Sequence, residues 1–293
     1  MKRLALLILT AMTIMACSHK PVEFNNLESH YAQADDIRIH YKTAGRGDKA
    51  LVFVHGLGCD LNTWQAQYDT FITDNNIRML FVDLPGFGQS DKPETDYTLE
   101  FFANAVKAAM DDAKIEKAIL VGHSLGTPVC RQMCFDHPER VSALVDIDGV
   151  YILLPADPEV CDMYVIDMQA FAAGFCQDNV AEYFAGFVRQ LAGPNTPQFV
   201  TDYAMSTMPQ TPGYVACSTM AHLIMRYLTG QKIDVPAAII CTQNSGIEPD
   251  NKDRMAELYT NMEYTELTTC GHFIHMEQPE VVNQAIRKLI ERM

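Results

Sequence analysis

Short apolar runs alternate with amphipathic segments along most of the chain. Apolar runs of four to eight residues between polar or glycine-rich turns are typical of buried strands in a parallel sheet. The segments between them carry apolar residues at helical spacing, as at Leu99, Phe102, Val106 and Met110. The predicted strands cover residues 30–34, 37–43, 50–54, 77–82, 117–121, 141–147, 236–242 and 263–268, and the predicted helices cover residues 62–72, 97–113, 127–135, 251–260 and 279–292.

This alternation of strands and helices predicts an α/β fold with a mainly parallel sheet and helices on both faces. The first two strands, joined at Asp35 and Asp36, predict an antiparallel hairpin at one edge of the sheet. The alternation lapses at residues 150–234, where Met, Phe and Tyr are frequent and prolines divide the chain into short helices. We therefore predict a core formed by residues 27–149 and 235–293, with a helical cap inserted after the sixth strand at 150–234.

The first residues differ from the predicted core. Lys2 and Arg3 form a basic region, residues 4–15 are apolar, and Ala16 precedes Cys17. This apolar run is shorter than the roughly 20 residues that a membrane-spanning helix needs. It resembles a bacterial lipoprotein signal, which implies removal of residues 1–16, a lipid anchor on Cys17 in the cell envelope, and a tether at 17–26. An uncleaved helix, or an ordinary signal peptide, is the alternative.

Composition excludes several classes of function. The formal charge is −15 and the basic residues form no stripe, so nucleic acid is not an expected partner. The sequence contains no His-Glu-x-x-His or Cys-x-x-Cys pattern, and we expect neither a metal nor a cofactor. The eight cysteines after Cys17 form no tight framework, and most are expected to be buried thiols. A bridge between Cys161 and Cys176 is left open.

A nucleophile motif follows the fifth predicted strand. Gly122-His123-Ser124-Leu125-Gly126 matches the G-x-S-x-G pattern and stands between a predicted strand and a predicted helix. The glycines leave room for a strained turn that exposes the serine hydroxyl above the sheet. The alternative is a glycine–serine loop that matches by chance. A serine is a poor nucleophile at neutral pH, so this one would need a neighbouring imidazole as its base.

Three more motifs accompany the serine, at residues 55–58 (HGLG), 83–90 (DLPGFGQS) and 271–279 (GHFIHMEQP). With these four motifs in this order, the chain resembles the α/β-hydrolase fold family over nearly all of its length. The resemblance extends to the serine branches of the family, which include esterases, lipases, carbon–carbon bond hydrolases and peptidases. The dehalogenase and epoxide hydrolase branches instead carry aspartate at the position of Ser124.

The resemblance implies roles for two histidines and two backbone amides. His272, which follows Gly271 after the last strand, would be the base, and His275 is its nearest rival. In this family the oxyanion is bound by backbone N–H groups, which here belong to Leu125 and Leu57. The amide of Gly58 or Cys59 is the alternative to that of Leu57.

The acid that orients the histidine departs from the family's commonest pattern. The usual aspartate position falls at Ser245, which cannot carry a charge. A variation seen in some haloalkane dehalogenases moves the acid to the end of the preceding strand, which implies Asp148 here. Asp146 would be buried deeper in that strand, where an unpaired carboxylate is costly. Glu248 and Asp250 are the remaining alternatives.

These observations together predict a serine hydrolase acting on a carboxylic ester. The cap residues suggest an apolar, small-molecule substrate, although Met and Phe at helical spacing would also serve the cap's own packing. A ligand-binding protein on a hydrolase scaffold is the alternative from another class of function, and the missing acid at Ser245 is its support.

Overall fold

Eight strands form one sheet in the part of the chain that a computed structural model describes, which is residues 22–151, 154–155, 157–225, 231–243 and 249–292. The strands are β1 (Ser29–Ala34), β2 (Ile37–Gly45), β3 (Lys49–Val54), β4 (Ile77–Val82), β5 (Ala118–His123), β6 (Val141–Ile147), β7 (Ala237–Thr242) and β8 (Met262–Leu267). Their spatial order is β1-β2-β4-β3-β5-β6-β7-β8. The predicted signal at 1–16, Cys17 and Glu248 lie outside the described residues.

The sheet is parallel from β4 to β8, whereas β2 pairs antiparallel with both β1 and β4. The predicted α/β class, the mainly parallel sheet and the antiparallel edge hairpin are therefore confirmed. Parallel neighbours place their carboxyl ends at the same edge of the sheet, and functional groups in open α/β sheets collect at that edge.

Helices cover both faces of the sheet. They are α1 (Gln65–Phe71), α2 (Leu99–Asp112), α3 (Gly126–Asp136), α4 (Pro158–Gly174), α5 (Val180–Leu191), α6 (Gln198–Thr207), α7 (Gly213–Leu223), α8 (Pro249–Leu258), α9 (Ile274–Glu277) and α10 (Pro279–Glu291). The predicted helix at 62–72 begins as a 3-10 turn, Leu61–Trp64, and the Asp60 carboxylate caps its start by accepting a hydrogen bond from the Asn62 N–H. The single turn α9 was not predicted, since one turn carries too little periodicity to be detected.

The central strands bury side chains on both faces, as expected for strands covered by helices on each side. Val52 and Val54 of β3 face the core beneath α2 and α3, whereas Leu51 and Phe53 face the core beneath α1 and α10. The ring of Phe53 stacks on that of Phe81 at 4.8 Å between centroids. The apolar run of β3 therefore belongs to two cores, and each core receives alternate residues.

The four helices α4 to α7 lie between β6 and β7 in the chain, where the sequence predicts a helical cap. A disulfide joins Cys176, just after α4, to Cys217 of α7. The Cys161–Cys176 bridge that the sequence left open is therefore wrong. Cys161 is a free thiol because α4 packs against α7, which brings Cys217 to the carboxyl end of α4.

The remaining described cysteines are free thiols. Four of them, Cys59, Cys130, Cys241 and Cys270, are buried, and Cys134 and Cys161 are partly exposed. In the ranges that the structure describes, none of the helices combines the length and the apolar character needed to cross a membrane.

Candidate active site

Ser124 lies on a strained turn between β5 and α3. Its φ is 51°, a left-handed conformation that costs a non-glycine residue roughly 1–3 kcal/mol. Two backbone hydrogen bonds hold the turn: the Ser124 N–H donates to the Ile147 carbonyl at 3.0 Å, and the Ser124 carbonyl accepts from the Thr127 N–H at 3.0 Å. A Cβ on Gly126 would lie 2.1 Å from the Val54 carbonyl oxygen, so this position requires glycine.

Asp148 and His272 form a hydrogen-bonded pair. Asp148 directly follows β6 on a second left-handed turn, at φ 42°. Its Oδ2 accepts a hydrogen bond from Nδ1 of His272 at 2.6 Å, and its Oδ1 accepts one from the Thr242 N–H at 2.8 Å. The residue is only 3% exposed, and both carboxylate oxygens have partners. The buried charge is thereby compensated.

The backbone of His272 is held on both sides. Its N–H donates to the Leu191 carbonyl at the end of α5, at 2.9 Å. Its carbonyl accepts a hydrogen bond from Nε2 of His123 at 3.0 Å. His123 is buried, and burial, followed by the nearby His275 and His272, lowers its pKa well below the usual value. A neutral His123 with its proton on Nε2 therefore holds the His272 backbone carbonyl in place.

His275, the rival base, is not among the described residues that line the cavity beside Ser124. Nε2 of its ring lies 2.6 Å from the Thr63 hydroxyl, and its ring packs at 4.5 Å from that of Trp64. Burial, and then His272, lower the pKa of His275 to about 3, so the ring is neutral at pH 7. This environment is that of a core histidine.

His55 also belongs to the framework. Its Nδ1 donates to the Gly56 carbonyl at 2.8 Å, and its Nε2 accepts from the Leu84 N–H at 3.0 Å. Burial lowers the pKa of His55, so the ring stays neutral and ties the loop after β3 to the loop after β4.

Two backbone amides are available beside the serine hydroxyl. The N–H groups of Leu57 and Leu125 donate to no acceptor within the residues that the structure describes, and both residues line the same cavity as Ser124. The Cys59 N–H, one of the alternatives, donates to the Gly56 carbonyl at 3.2 Å and is therefore engaged in a turn. Free N–H groups next to a nucleophile are the chemical requirement for an oxyanion hole.

The cavity has a volume of about 350 Å³ and lies between the carboxyl ends of the strands and the cap. Its lining is mostly apolar, and Asp148 is the one residue among Asp, Glu, Lys and Arg in the described lining. The cap contributes Val150, Tyr151, Tyr164, Met168, Phe171, Phe187, Gln190, Leu191, Ala192, Gly193, Met220, Leu223 and Ile224. Apolar pockets with a few convergent polar groups are typical of small-molecule sites.

The structure brings Ser124, His272, Asp148, Leu57 and Leu125 to one cavity. Glu248 and Cys17 lie outside the described residues. Among the residues that the structure describes, there is no group of three or more His, Cys, Asp or Glu side chains that could hold a metal ion.

The groups that support these residues were not predicted from the sequence. The Thr242 N–H and the Leu191 carbonyl carry no signal in the sequence, because they are backbone groups. The contact between His123 and the His272 carbonyl was also not predicted, although the position of His123 beside the serine is a signal that could have indicated it.

Comparison with known proteins agrees with this architecture. A family model described as alpha/beta hydrolase fold matches residues 49–279. A 2-hydroxy-6-oxononadienedioate/2-hydroxy-6-oxononatrienedioate hydrolase of Paraburkholderia phymatum is 26% identical over 285 residues, covering 86% of this chain and 90% of that protein. The structure of an esterase from Exiguobacterium antarcticum superposes with a TM-score of 0.78 at 18% identity, over 90% of this chain and 100% of that chain.

A higher identity is confined to part of the chain. The dihydrolipoyllysine-residue acetyltransferase component of the acetoin cleaving system of Cupriavidus necator is 37% identical over 120 residues, which are 41% of this chain and 32% of that protein. A Pseudomonas hydrolase is matched over 40% of its length, so the chain spans well under two thirds of these first relatives. The family model spans a larger part of the chain, and it shows that the chain belongs to the α/β-hydrolase fold family.

Proposed function

We propose that this enzyme cleaves carboxylic esters through an acyl-enzyme, with Ser124 as nucleophile, His272 as general base and Asp148 as the orienting acid. The observation that carries the proposal is the 2.6 Å hydrogen bond between His272 Nδ1 and Asp148 Oδ2, beside the cavity that Ser124 lines. With Nδ1 donating to Asp148, the other ring nitrogen is left to accept the serine proton.

The reaction would follow the acyl-transfer sequence that these groups allow. Ser124 Oγ attacks the ester carbonyl as His272 takes its proton, and the Leu57 and Leu125 N–H groups bind the oxyanion. The alcohol leaves with the proton from His272, and water, activated by the same imidazole, then releases the acid. Asp148 stabilises the imidazolium that forms twice in this cycle.

The cavity supports an apolar, uncharged substrate. The cap side chains that line it are largely Met, Phe, Leu and Ile, and its described lining contains neither Lys nor Arg. Met side chains adapt to substrates of different shape, so we propose that the acyl or alcohol group is an alkyl or aryl chain.

Carbon–carbon bond cleavage is the second candidate. It is supported by the relative from Paraburkholderia phymatum, whose name gives dienedioate and trienedioate substrates. A dioate carries two carboxylates, which would need cationic partners when removed from water. The described lining contains neither Lys nor Arg, and this favours the neutral ester.

A non-catalytic binding protein has less support than an enzyme. Its support is the missing acid at Ser245, but the hydrogen bond that His272 donates to Asp148 favours an acid at the end of another strand. Ligand binding without turnover by the parent, unchanged in Ser124→Ala, would point to that function.

We also propose that the protein is lipid-anchored in the cell envelope through Cys17, on the evidence of its amino-terminal sequence. The test is membrane fractionation of the full chain and of Cys17→Ser, followed by the mass of the amino-terminal peptide. A mature protein that begins elsewhere, or a soluble parent, would contradict the anchor.

The proposed reaction is tested by hydrolysis of p-nitrophenyl esters from acetate to decanoate. We expect turnover by the parent and loss of about 10³-fold or more in Ser124→Ala. The matched control is Ser206→Ala, at an exposed serine of α6 whose hydroxyl donates to the Tyr203 carbonyl at 2.9 Å, and it should keep the parent rate. Hydrolysis that survives Ser124→Ala, or its absence in the parent, would refute the ester assignment.

A further inference from the structure

The carboxylate of Glu277, on α9, is bonded to both residues that flank His272. Its Oε2 accepts from the Gly271 N–H at 2.9 Å, and its Oε1 accepts from the Phe273 N–H at 3.2 Å. Hydrogen bonds to a charged acceptor are stronger than neutral ones, so a single side chain fixes the backbone on either side of the histidine.

Oε2 of Glu277 also accepts a third hydrogen bond, from the Thr196 hydroxyl at 2.8 Å. Thr196 lies in the connection between α5 and α6, and its hydroxyl oxygen accepts in turn from the Gly193 N–H at 2.8 Å. A continuous hydrogen-bonded chain therefore runs from Gly193 in the cap through Thr196 and Glu277 to the histidine loop.

The cap connection and the histidine loop are also in direct contact. A Cβ on Gly271 would lie 2.5 Å from the Gly193 nitrogen, and a Cβ on Gly193 would lie 2.7 Å from the Gly271 nitrogen. The His272 N–H donates to the Leu191 carbonyl, and the Asn195 side-chain amide donates to the Thr269 carbonyl at 3.1 Å. Two glycines in contact let the two backbones approach this closely.

The same connection forms a wall of the substrate cavity. Leu191, Ala192 and Gly193 line it, together with Gly271 and His272. A substrate in this cavity would therefore contact the same segment that binds the backbone of His272.

We propose that Glu277 and Thr196 are positioning residues that hold the His272 imidazole in register with Ser124 and Asp148, and that they couple the cap to the base. This inference rests on the proposed role of His272. Glu277 and Thr196 are not needed to bind the substrate, because neither lines the cavity. Their effect on the reaction passes through the placement of the histidine loop.

The experiment compares Thr196→Val, Thr196→Ser, Glu277→Gln and the parent in kcat and KM on a short and a long p-nitrophenyl ester. Thr196→Val removes the hydroxyl at nearly constant volume, and we expect kcat to fall by about 10- to 100-fold with KM unchanged. Thr196→Ser keeps the hydroxyl and should keep kcat, whereas Glu277→Gln should resemble Thr196→Val. The matched controls are Thr201→Val on α6 and Glu280→Gln, at an exposed residue in the first turn of α10.

A second measurement does not depend on turnover. We expect the proton between His272 Nδ1 and Asp148 Oδ2, which are 2.6 Å apart, to give a downfield proton NMR resonance, and loss of that resonance in Asp148→Asn would assign it. We expect Thr196→Val and Glu277→Gln to shift or broaden this resonance, and Thr196→Ser to leave it in place. Thermal unfolding of Thr196→Val verifies that this variant is folded.

The outcomes separate the two proposals. If the parent cleaves esters but Thr196→Val and Glu277→Gln match it in kcat and in the resonance, the positioning role is wrong and the esterase stands. If a rise in KM alone accounts for the loss, the two residues act on binding, which also overturns the inference. If the parent cleaves no ester while the resonance responds as expected, the ester assignment falls and the positioning role is supported.

Discussion

Nδ1 of His272 lies 2.6 Å from Oδ2 of Asp148, although the two residues are 124 positions apart in the chain. The other oxygen of the carboxylate already accepts a hydrogen bond from the Thr242 N–H at 2.8 Å, so the side chain is held in one orientation. An imidazole bonded in this way is oriented for proton transfer, and its cationic form is stabilised.

Asp148→Asn is expected to lower kcat by about 10³- to 10⁴-fold, because a neutral amide does not stabilise an imidazolium and disfavours the required tautomer. The measurement is kcat on a short ester, with thermal unfolding as a check on the fold. Glu248→Gln, which alters the alternative acid from the sequence, should stay within about twofold of the parent. A larger loss in Glu248→Gln than in Asp148→Asn would transfer the acid's role to Glu248.

The cavity should set the preferred chain length of the substrate. Leu223 of α7 is buried and lines the cap side of the cavity, so the larger side chain of Leu223→Trp should reduce the cavity volume that is open to a long acyl chain. We expect kcat/KM for decanoate to fall by at least about tenfold, while that for acetate is nearly unchanged. Leu223→Ile conserves volume and is the control. Equal losses on both esters would mean that acyl chains do not occupy this part of the cavity.

The disulfide should stabilise the cap. Cys176 and Cys217 are 41 positions apart, and a cross-link over such a loop lowers the entropy of the unfolded chain, which corresponds to about 4 kcal/mol of stabilisation. Replacing both cysteines by serine should lower the free energy of unfolding by about that amount, measured by urea denaturation under oxidising conditions. Cys161→Ser, at a free thiol of α4, should have little effect. Equal stability of the double variant and the parent would contradict the prediction.

Asp146 should make stability depend on pH. The residue is fully buried, with its Oδ2 2.8 Å from the Tyr259 hydroxyl, and burial raises its pKa to about 6. The folded protein therefore binds this proton more tightly than the unfolded chain, whose carboxyl has its ordinary pKa of about 3.9. The stabilising effect of the protonated form is present at low pH and is lost as the pH rises through about 6.

From this group alone, the free energy of unfolding should fall by about 1 kcal/mol between pH 5 and pH 8. Asp146→Asn cannot titrate, so its stability should decline less over that interval, whatever its stability at pH 5. Urea denaturation at the two pH values measures the difference. An identical decline in the parent and in Asp146→Asn would show that other groups carry the pH dependence.

Several elements could be predicted from the sequence with nearly correct bounds. The strands at 77–82 and 141–147 match β4 and β6, because a buried parallel strand is a local run of apolar residues between polar turns. The helix predicted at 97–113 is α2, Leu99–Asp112, and its start is marked by the Thr98 side chain, which accepts from the Phe101 N–H. The turn α9 and the 3-10 start at Leu61–Trp64 were missed because each has only four residues, about one helical turn, and a single turn shows no repeat of the pattern.

The candidate site was predicted less completely than the fold. The sequence favoured Asp148 over Glu248 only through the resemblance, because a position at the end of a strand indicates an edge of the sheet and not a contact. The partner of Cys176 could not be predicted at all, since it depends on how α4 packs against α7. Glu277 stood within a recognised motif, but its hydrogen bond to Thr196 joins residues 81 positions apart.

The sequence by itself determined the alternation of strands and helices, the serine at the turn after the fifth strand and the apolar character of the cap. These features depend on backbone sterics and on periodicities that extend over a few residues. Only the tertiary structure decided which carboxylate reaches His272, which cysteines pair and which part of the cap supports the histidine loop. These contacts join distant segments, and they follow from how the sheet and the cap pack together rather than from any local pattern.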